Sequence, residues 1–188
     1  MVVRIYGMTK EALKTKLPYI GIPVIGLVFY FIYAKRTDAF IVLLCELIIV
    51  FGYIASVLDL TTKKIPNGLI LIMLGAWVLA MFPKLFLDTD EAVALLKDSA
   101  LGLVAGGGIF LLVYLISRKG LGGGDVKFMA ASGLYLGFSG TFSAMLYGTV
   151  LAALTGLALI LLKKIGRKDA MPLAPFLYVG MLIAIFYR

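Results

Sequence analysis

Histidine is absent from this sequence, cysteine occurs once at Cys45, and only 15% of the residues are charged. Without histidine there is no imidazole to act as a general base or a metal ligand. A single cysteine excludes a disulfide within the chain and a structural zinc site. Any acid–base chemistry must therefore come from carboxylates, Tyr, Lys or the chain termini. We expect no metal ion and no bound cofactor.

The apolar residues, in contrast, are too many for a soluble domain. They make up 62% of the 188 residues, and the mean hydropathy is +1.06, whereas soluble domains are about 45–50% apolar. Seven continuous apolar stretches are each candidates for a membrane helix: about 18–34, 39–58, 69–87, 99–117, 126–139, 141–162 and 171–187. The runs do not alternate with polar residues, which excludes a transmembrane barrel. We predict an all-α polytopic membrane protein with no room for a second, soluble domain.

Basic residues predict the orientation. With the N-terminus in the cytoplasm and seven spans, 13 of the 18 Lys and Arg residues fall on the cytoplasmic side, as the positive-inside rule expects. The acidic 84–98 connection then lies outside. Because orientation explains the net charge of +8, no nucleic-acid partner is needed. The first stretch lacks an A-x-A cleavage site and precedes Lys35 and Arg36, so we interpret it as a retained anchor.

Acidic residues within or beside spans are the main functional candidates. Asp59 closes the second stretch and Asp125 opens the fifth, so both lie on the cytoplasmic side of the predicted topology. Two nearby carboxyl groups can share one proton, which is what aspartyl peptide hydrolysis requires. The structural alternative is that each is a helix cap or an interfacial residue. Glu46 lies about 20 Å of helix rise from Asp59, and we expect it to be a protonated, hydrogen-bonded packing residue.

Residues around the two aspartates could support them. Pro66 and Asn67 indicate a turn and a helix start. Gly122 and Gly124 would permit the backbone geometry that brings Asp125 to its partner. Lys127 would either hold the orientation of Asp125 or extend to the membrane interface.

Two further features concern packing. The pairs Gly102-x-x-x-Gly106 and Gly133-x-x-x-Gly137 are typical of close helix contacts. The fifth stretch is short for a span. Either it is enclosed by neighbouring helices, or the glycine run before Asp125 enters the membrane.

Three motifs in order resemble a known family. Gly122-Gly123-Gly124-Asp125-Val126-Lys127 fits a G-x-G-D-V-K pattern. Asp59 is followed by Ile65-Pro66-Asn67, and 171–177 contains a P-x-x-P-F-L sequence. Together they resemble the type IV prepilin peptidases, which are membrane-embedded aspartyl proteases. The resemblance implies that Asp59 and Asp125 are catalytic. It also implies a six-helix core over 39–188, with 1–38 an N-terminal tail and an added span.

The resemblance further implies substrates. These would be pilin-like precursors, whose short basic leader is removed at the cytoplasmic face of a prokaryotic inner membrane. Bifunctional members carry a cytoplasmic insertion with paired C-x-x-C zinc motifs and also N-methylate the product. The sequence has neither feature, so we expect a peptidase without methyltransferase activity. The alternatives are a general intramembrane G-x-G-D protease, or a non-enzymatic proton-coupled transporter or assembly scaffold.

Overall fold

A computed structural model describes residues 38–117, 120–164, 166 and 171–187. All regular structure in these ranges is helical. The helices are α1 (Ala39–Thr62), α2 (Asn67–Leu87), α3 (Thr89–Ile116), α4 (Gly123–Leu161) and α5 (Ala174–Tyr187). The predicted first span, 18–34, lies outside the described residues.

The helices confirm the prediction of a polytopic membrane protein. α1 to α4 are long and apolar enough to cross a bilayer, and α5 is a shorter apolar helix. Leu79, Phe86 and many other large apolar side chains are exposed on the outside of the bundle. Such surfaces suit lipid rather than water.

The long helix α4 reverses direction at Gly137, whose φ of 66° and ψ of −176° break the helix. Along α3, Gly102 lies against Gly133 and Gly137, and Gly106 lies against Met129 and Thr141. The two parts of α4 therefore run antiparallel, and we name them α4a (123–136) and α4b (138–161). They correspond to the fifth and sixth predicted stretches, so six helical segments follow residue 38 in the described chain.

Glycines make the closest helix contacts, which confirms the packing prediction for both pairs. A Cβ atom on Gly102 would meet the backbone of Gly133 and Gly137, and one on Gly133 would meet that of Gly102. The short segment α4a is enclosed by its neighbours, since residues 131–137 are all buried. Of the two alternatives for this stretch, the structure agrees with enclosure by neighbouring helices.

The prediction of an acidic connection over 84–98 is wrong. Only Asp88 separates α2 from α3, and α3 begins ten residues earlier than the apolar stretch from residue 99. The Asp88 carboxylate accepts a hydrogen bond from Glu91 N, and Asp90 and Glu91 lie in the first turn, where acidic side chains stabilise a helix. Helix capping therefore lets α3 begin at Thr89, ten residues before its apolar stretch.

Contacts join four of the helix ends at one end of the bundle. They are the last turn of α1, with Asp59, and the first turns of α2, α4a and α5. We call this the aspartate end. The Gly137 reversal lies away from it, at the other end of α4a.

Candidate active site

Asp59 lies in the last turn of α1 and is buried, with 7% of its surface exposed. Its Oδ2 accepts a hydrogen bond of 3.0 Å from the backbone N–H of Ala174, the first residue of α5. A second backbone hydrogen bond comes from Leu173, and Lys63 contributes a nearby positive charge. The N-terminus of a helix carries unpaired N–H groups and a partial positive charge, and both favour a carboxylate. α5 therefore holds Asp59 in place.

Asp125 lies in the first turn of α4a, where the sequence predicted it. Its side chain accepts a backbone hydrogen bond from Gly122 and interacts electrostatically with Asp59. Its other oxygen, Oδ1, is buried and has no hydrogen-bond partner among the described residues. The structure thus brings the two predicted acids together. It leaves one buried carboxyl oxygen of Asp125 open to a further hydrogen bond.

The two glycines around Gly123 are needed for space. A Cβ atom on Gly122 would lie 2.7 Å from Asp125 Oδ2, and one on Gly124 would lie 3.3 Å from the Ile65 Cβ. A Cβ on Gly123 would meet nothing within 4 Å. That Gly122 and Gly124 permit the backbone geometry that brings Asp125 to its partner stays a prediction, and among the described glycines only Gly137 has a positive φ. Gly122 leaves room for the carboxylate, and Gly124 lets α4a approach Ile65.

Pro66 and Asn67 confirm the predicted turn, since Pro66 is the N-cap of α2 and Asn67 its first residue. Asn67 Oδ1 accepts a hydrogen bond of 3.0 Å from Lys127 Nζ. This hydrogen bond directs Lys127 to the Asp59 side of the site rather than to Asp125. It joins the segment after Asp59 to the segment after Asp125.

Sequence reasoning missed the part that α5 plays. The backbone donors Leu173 and Ala174 belong to the P-x-x-P-F-L motif, which carried the resemblance but suggested no contact with Asp59. Ser56 supports the same junction, because its hydroxyl donates to Gly52 O at 2.7 Å and to Ala174 O at 3.3 Å. The available signal was a pair of prolines at a helix start, where backbone N–H groups are exposed.

Glu46 is remote from the aspartate end, as predicted, but its environment differs from the prediction. It lies in the second turn of α1, and its Oε1 is buried without a hydrogen-bond partner among the described residues. Tyr178 Oη is a second such atom, and the two side chains interact electrostatically. Neither side chain belongs to the Asp59 and Asp125 pair.

The two acids at the aspartate end can take part in proton transfer. Within the described residues, no three His, Cys, Asp or Glu side chains are grouped as metal ligands. Two carboxyl groups, held by backbone N–H donors in a mostly buried site, can exchange a proton with each other or with a bound water.

Comparison with known proteins places this arrangement in a family. The model of the "Type IV leader peptidase family" matches residues 46–160, more than half of the chain. The chain belongs to this family. The match includes Asp59 and Asp125 but ends before the α5 donors.

Individual relatives agree with the assignment. The chain is 29% identical over 137 residues to a prepilin leader peptidase/N-methyltransferase of Bacillus subtilis, covering 71% of this chain and 51% of that protein. It is 31% identical over 132 residues to a protein of the same name from Legionella pneumophila, covering 69% and 45%. The chain thus spans about half the length of these relatives. No solved structure matches it.

Proposed function

We propose that this protein is an aspartic endopeptidase that removes the leader from pilin-like precursors, with Asp59 and Asp125 as its catalytic residues. The observation that carries the proposal is that these two carboxyl groups lie at one end of the bundle, close enough to interact electrostatically. Both are anchored by backbone donors rather than by flexible side chains. Such anchoring holds catalytic groups in a fixed geometry.

The chemistry follows from sharing one proton between the two acids. The ionised carboxylate takes a proton from a water molecule while the water oxygen bonds to the carbonyl carbon of the scissile peptide. The protonated carboxyl donates a hydrogen bond to the carbonyl oxygen, where negative charge develops. The tetrahedral intermediate then breaks its C–N bond as a proton passes to the leaving nitrogen. The products are a new carboxyl group and a new amine.

The location of the pair suits a substrate that combines a helix in the membrane with a polar leader. The outside of the bundle is apolar, so a substrate helix can lie beside it in the lipid. Its scissile bond would then reach the aspartate end, and the distribution of basic residues along the chain supports a cytoplasmic position for this end. The relatives' names, prepilin leader peptidase/N-methyltransferase, point to the same class of precursor.

We further propose that the protein does not methylate its product. Cys45, the single cysteine of the sequence, is buried in α1. The sequence therefore has no paired C-x-x-C motif of the kind that bifunctional members carry. Incubation with precursor and S-adenosylmethionine should yield a product of unmodified mass. A gain of one methyl group, about 14 Da, would disprove this part.

The test of the peptidase uses purified protein in detergent or liposomes with a pilin-like precursor. Asp59→Asn and Asp125→Asn should each abolish cleavage while keeping the parent's thermal stability. Asp90→Asn, at an exposed position in the first turn of α3, is the matched control and should cleave normally. Normal cleavage by both active-site variants would overturn the proposal. Mass spectrometry should place the cut before the apolar segment of the precursor, whereas a cut inside it would favour a general intramembrane protease.

A further inference from the structure

Asp98 is a carboxylate inside a membrane helix for which the proposed reaction has no use. It is the tenth residue of α3, about 15 Å of helix rise from the start of that helix. Its Oδ1 accepts a hydrogen bond of 3.0 Å from the backbone N–H of Phe138. Its Oδ2 occupies the space where a side chain on Gly137 would lie. Ionisable residues within membrane helices usually have a specific role.

The hydrogen bond between Phe138 and Asp98 lies at Gly137, where α4 breaks. In an uninterrupted helix the Phe138 N–H would donate to Leu134 O. Here Asp98 accepts from Phe138, and Leu134 O accepts from Trp77 Nε1 at 2.9 Å and Ser99 Oγ at 2.7 Å. Side chains of α2 and α3 thus satisfy the Phe138 N–H and the Leu134 carbonyl, which would bond to each other in an unbroken helix. Backbone groups released by a helix break need such partners.

The reversal also determines where α4a ends. α4a begins at Gly123 with Asp125 in its first turn, and it ends at the reversal that Asp98 holds. A shift of α4a by one residue would move Asp125 by about 1.5 Å and rotate it by about 100°. Such a rotation would turn Asp125 away from Asp59.

We propose that Asp98 is a positioning residue: by binding the Phe138 N–H at the Gly137 reversal, it fixes α4a against α3 so that Asp125 faces Asp59. The role requires an acceptor oxygen rather than a negative charge. The activity measurements below rest on the proposed peptidase function, whereas the cross-linking measurement does not.

The first test compares two substitutions. Asp98→Ala leaves the Phe138 N–H without an acceptor, and Asp98→Asn keeps an acceptor oxygen. We expect Asp98→Ala to lower kcat for precursor cleavage about 10-fold or more with little change in KM, because it disturbs the reacting groups and not the substrate surface. Asp98→Asn should stay within about 3-fold of the parent. Asp90→Ala is the control and should match the parent.

The second test removes the donor. Phe138 is the first residue of α4b, a position where proline fits a helix start. Proline has no N–H, so Asp98→Ala with Phe138→Pro leaves no unsatisfied donor at the reversal. The double variant should recover part of the activity that Asp98→Ala loses. Asp98→Ala with Phe138→Ala keeps the N–H and should recover none.

The third test measures the site without catalysis. Cysteines at Asn67 and Lys127, in a Cys45→Ala background, are joined by a short bis-methanethiosulfonate reagent, since these side chains meet in the parent. Asp98→Ala should lower the cross-linking yield several-fold, and Asp98→Asn should not. Parent-like cross-linking in Asp98→Ala would overturn the proposal, even if cleavage fails for another reason. An Asp98→Asn variant as defective as Asp98→Ala would overturn it as well, because the acceptor would then not be what matters.

Discussion

The backbone N–H of Ala174 donates a 3.0 Å hydrogen bond to Asp59 Oδ2 across 115 residues of sequence. This contact makes the start of α5 a part of the candidate active site. It also gives the P-x-x-P-F-L motif a physical role, because Ala174 lies between its two prolines. The donor is the backbone, so most substitutions of the side chain at this position would leave it intact.

Ala174→Pro should therefore impair cleavage where Ala174→Gly does not. Proline is tolerated at the first position of a helix but removes the N–H that Asp59 accepts. A hydrogen bond to a charged group contributes about 1.5–3 kcal/mol, so we expect kcat to fall about 10- to 100-fold. The measurement is steady-state cleavage of a precursor, with melting temperature in detergent as the check on folding. Equal activity of a folded Ala174→Pro protein and the Ala174→Gly control would contradict this role.

The three glycines before Asp125 should respond unequally to alanine. Gly122→Ala would place its Cβ on Asp125 Oδ2, the mobile end of a side chain. The carboxylate would then move aside, so activity should fall about 10-fold or more while stability changes little. The Cβ atom of Gly123→Ala would have no neighbour within 4 Å, so this variant should keep the activity and stability of the parent. Comparing cleavage rates and melting temperatures for the pair tests this, and equal rates would show that the space beside Asp125 is unimportant.

Gly124→Ala should have an intermediate effect of a different kind. Its Cβ would lie 3.3 Å from the Ile65 Cβ, a tight contact, and at ordinary contact distance from the Ile65 backbone. The approach of α4a to the segment after Asp59 would widen by a few tenths of an ångström. We expect a loss of both stability and activity, with the loss of stability about 1–3 kcal/mol as for other overpacked contacts. Loss of activity with no change in melting temperature would contradict the prediction that Gly124→Ala overpacks the contact with Ile65.

Much of this site follows from local sequence patterns. Asp59 and Asp125 were found because acids beside apolar runs are rare, and the turn at Pro66 was found because proline starts helices. The spatial reason for Gly122 and Gly124 could not be found, because it depends on Ile65 and on a side-chain rotamer. The donors of α5 were missed for a similar reason: every residue except proline has an N–H, so residue types do not show which one reaches Asp59.

Asp98 shows where hydropathy misleads. The acidic residues from Asp88 onward lower the local hydropathy, which predicts a connection rather than a helix at Asp98. In the structure, α3 continues through these residues, and Asp98 binds a backbone group of α4b. The glycine at 137 was expected only to pack, although its positive φ also makes the reversal. Neither fact can be inferred without knowing that α3 lies beside the break.

The hydrogen bond between Lys127 and Asn67 should appear as coupling between the two residues. Lys127→Met and Asn67→Ala each remove it, so the double variant should lose no more activity than the more impaired single variant. Because the contact is exposed, we expect single losses of about 2- to 10-fold. Lys64→Met, at another exposed lysine near Asp59, is the control and should have little effect. Losses that multiply in the double variant would show that Lys127 and Asn67 act independently.

The close packing of α3 against α4a should require glycine at position 102, on the side of α3 that contacts α4a, but not at position 108. Gly102→Ala would press its Cβ on the backbone of Gly133 and Gly137, which cannot rotate away as a side chain can. We expect the free energy of unfolding to fall by about 1–3 kcal/mol, with a lower melting temperature in detergent. Gly108→Ala, on the same helix, meets nothing within 4 Å, so its stability should be unchanged or slightly raised by the better helix propensity of alanine. If both variants melt at the same temperature, the two helices must be able to separate without cost, and the glycine contact would not determine how closely α4a approaches α3.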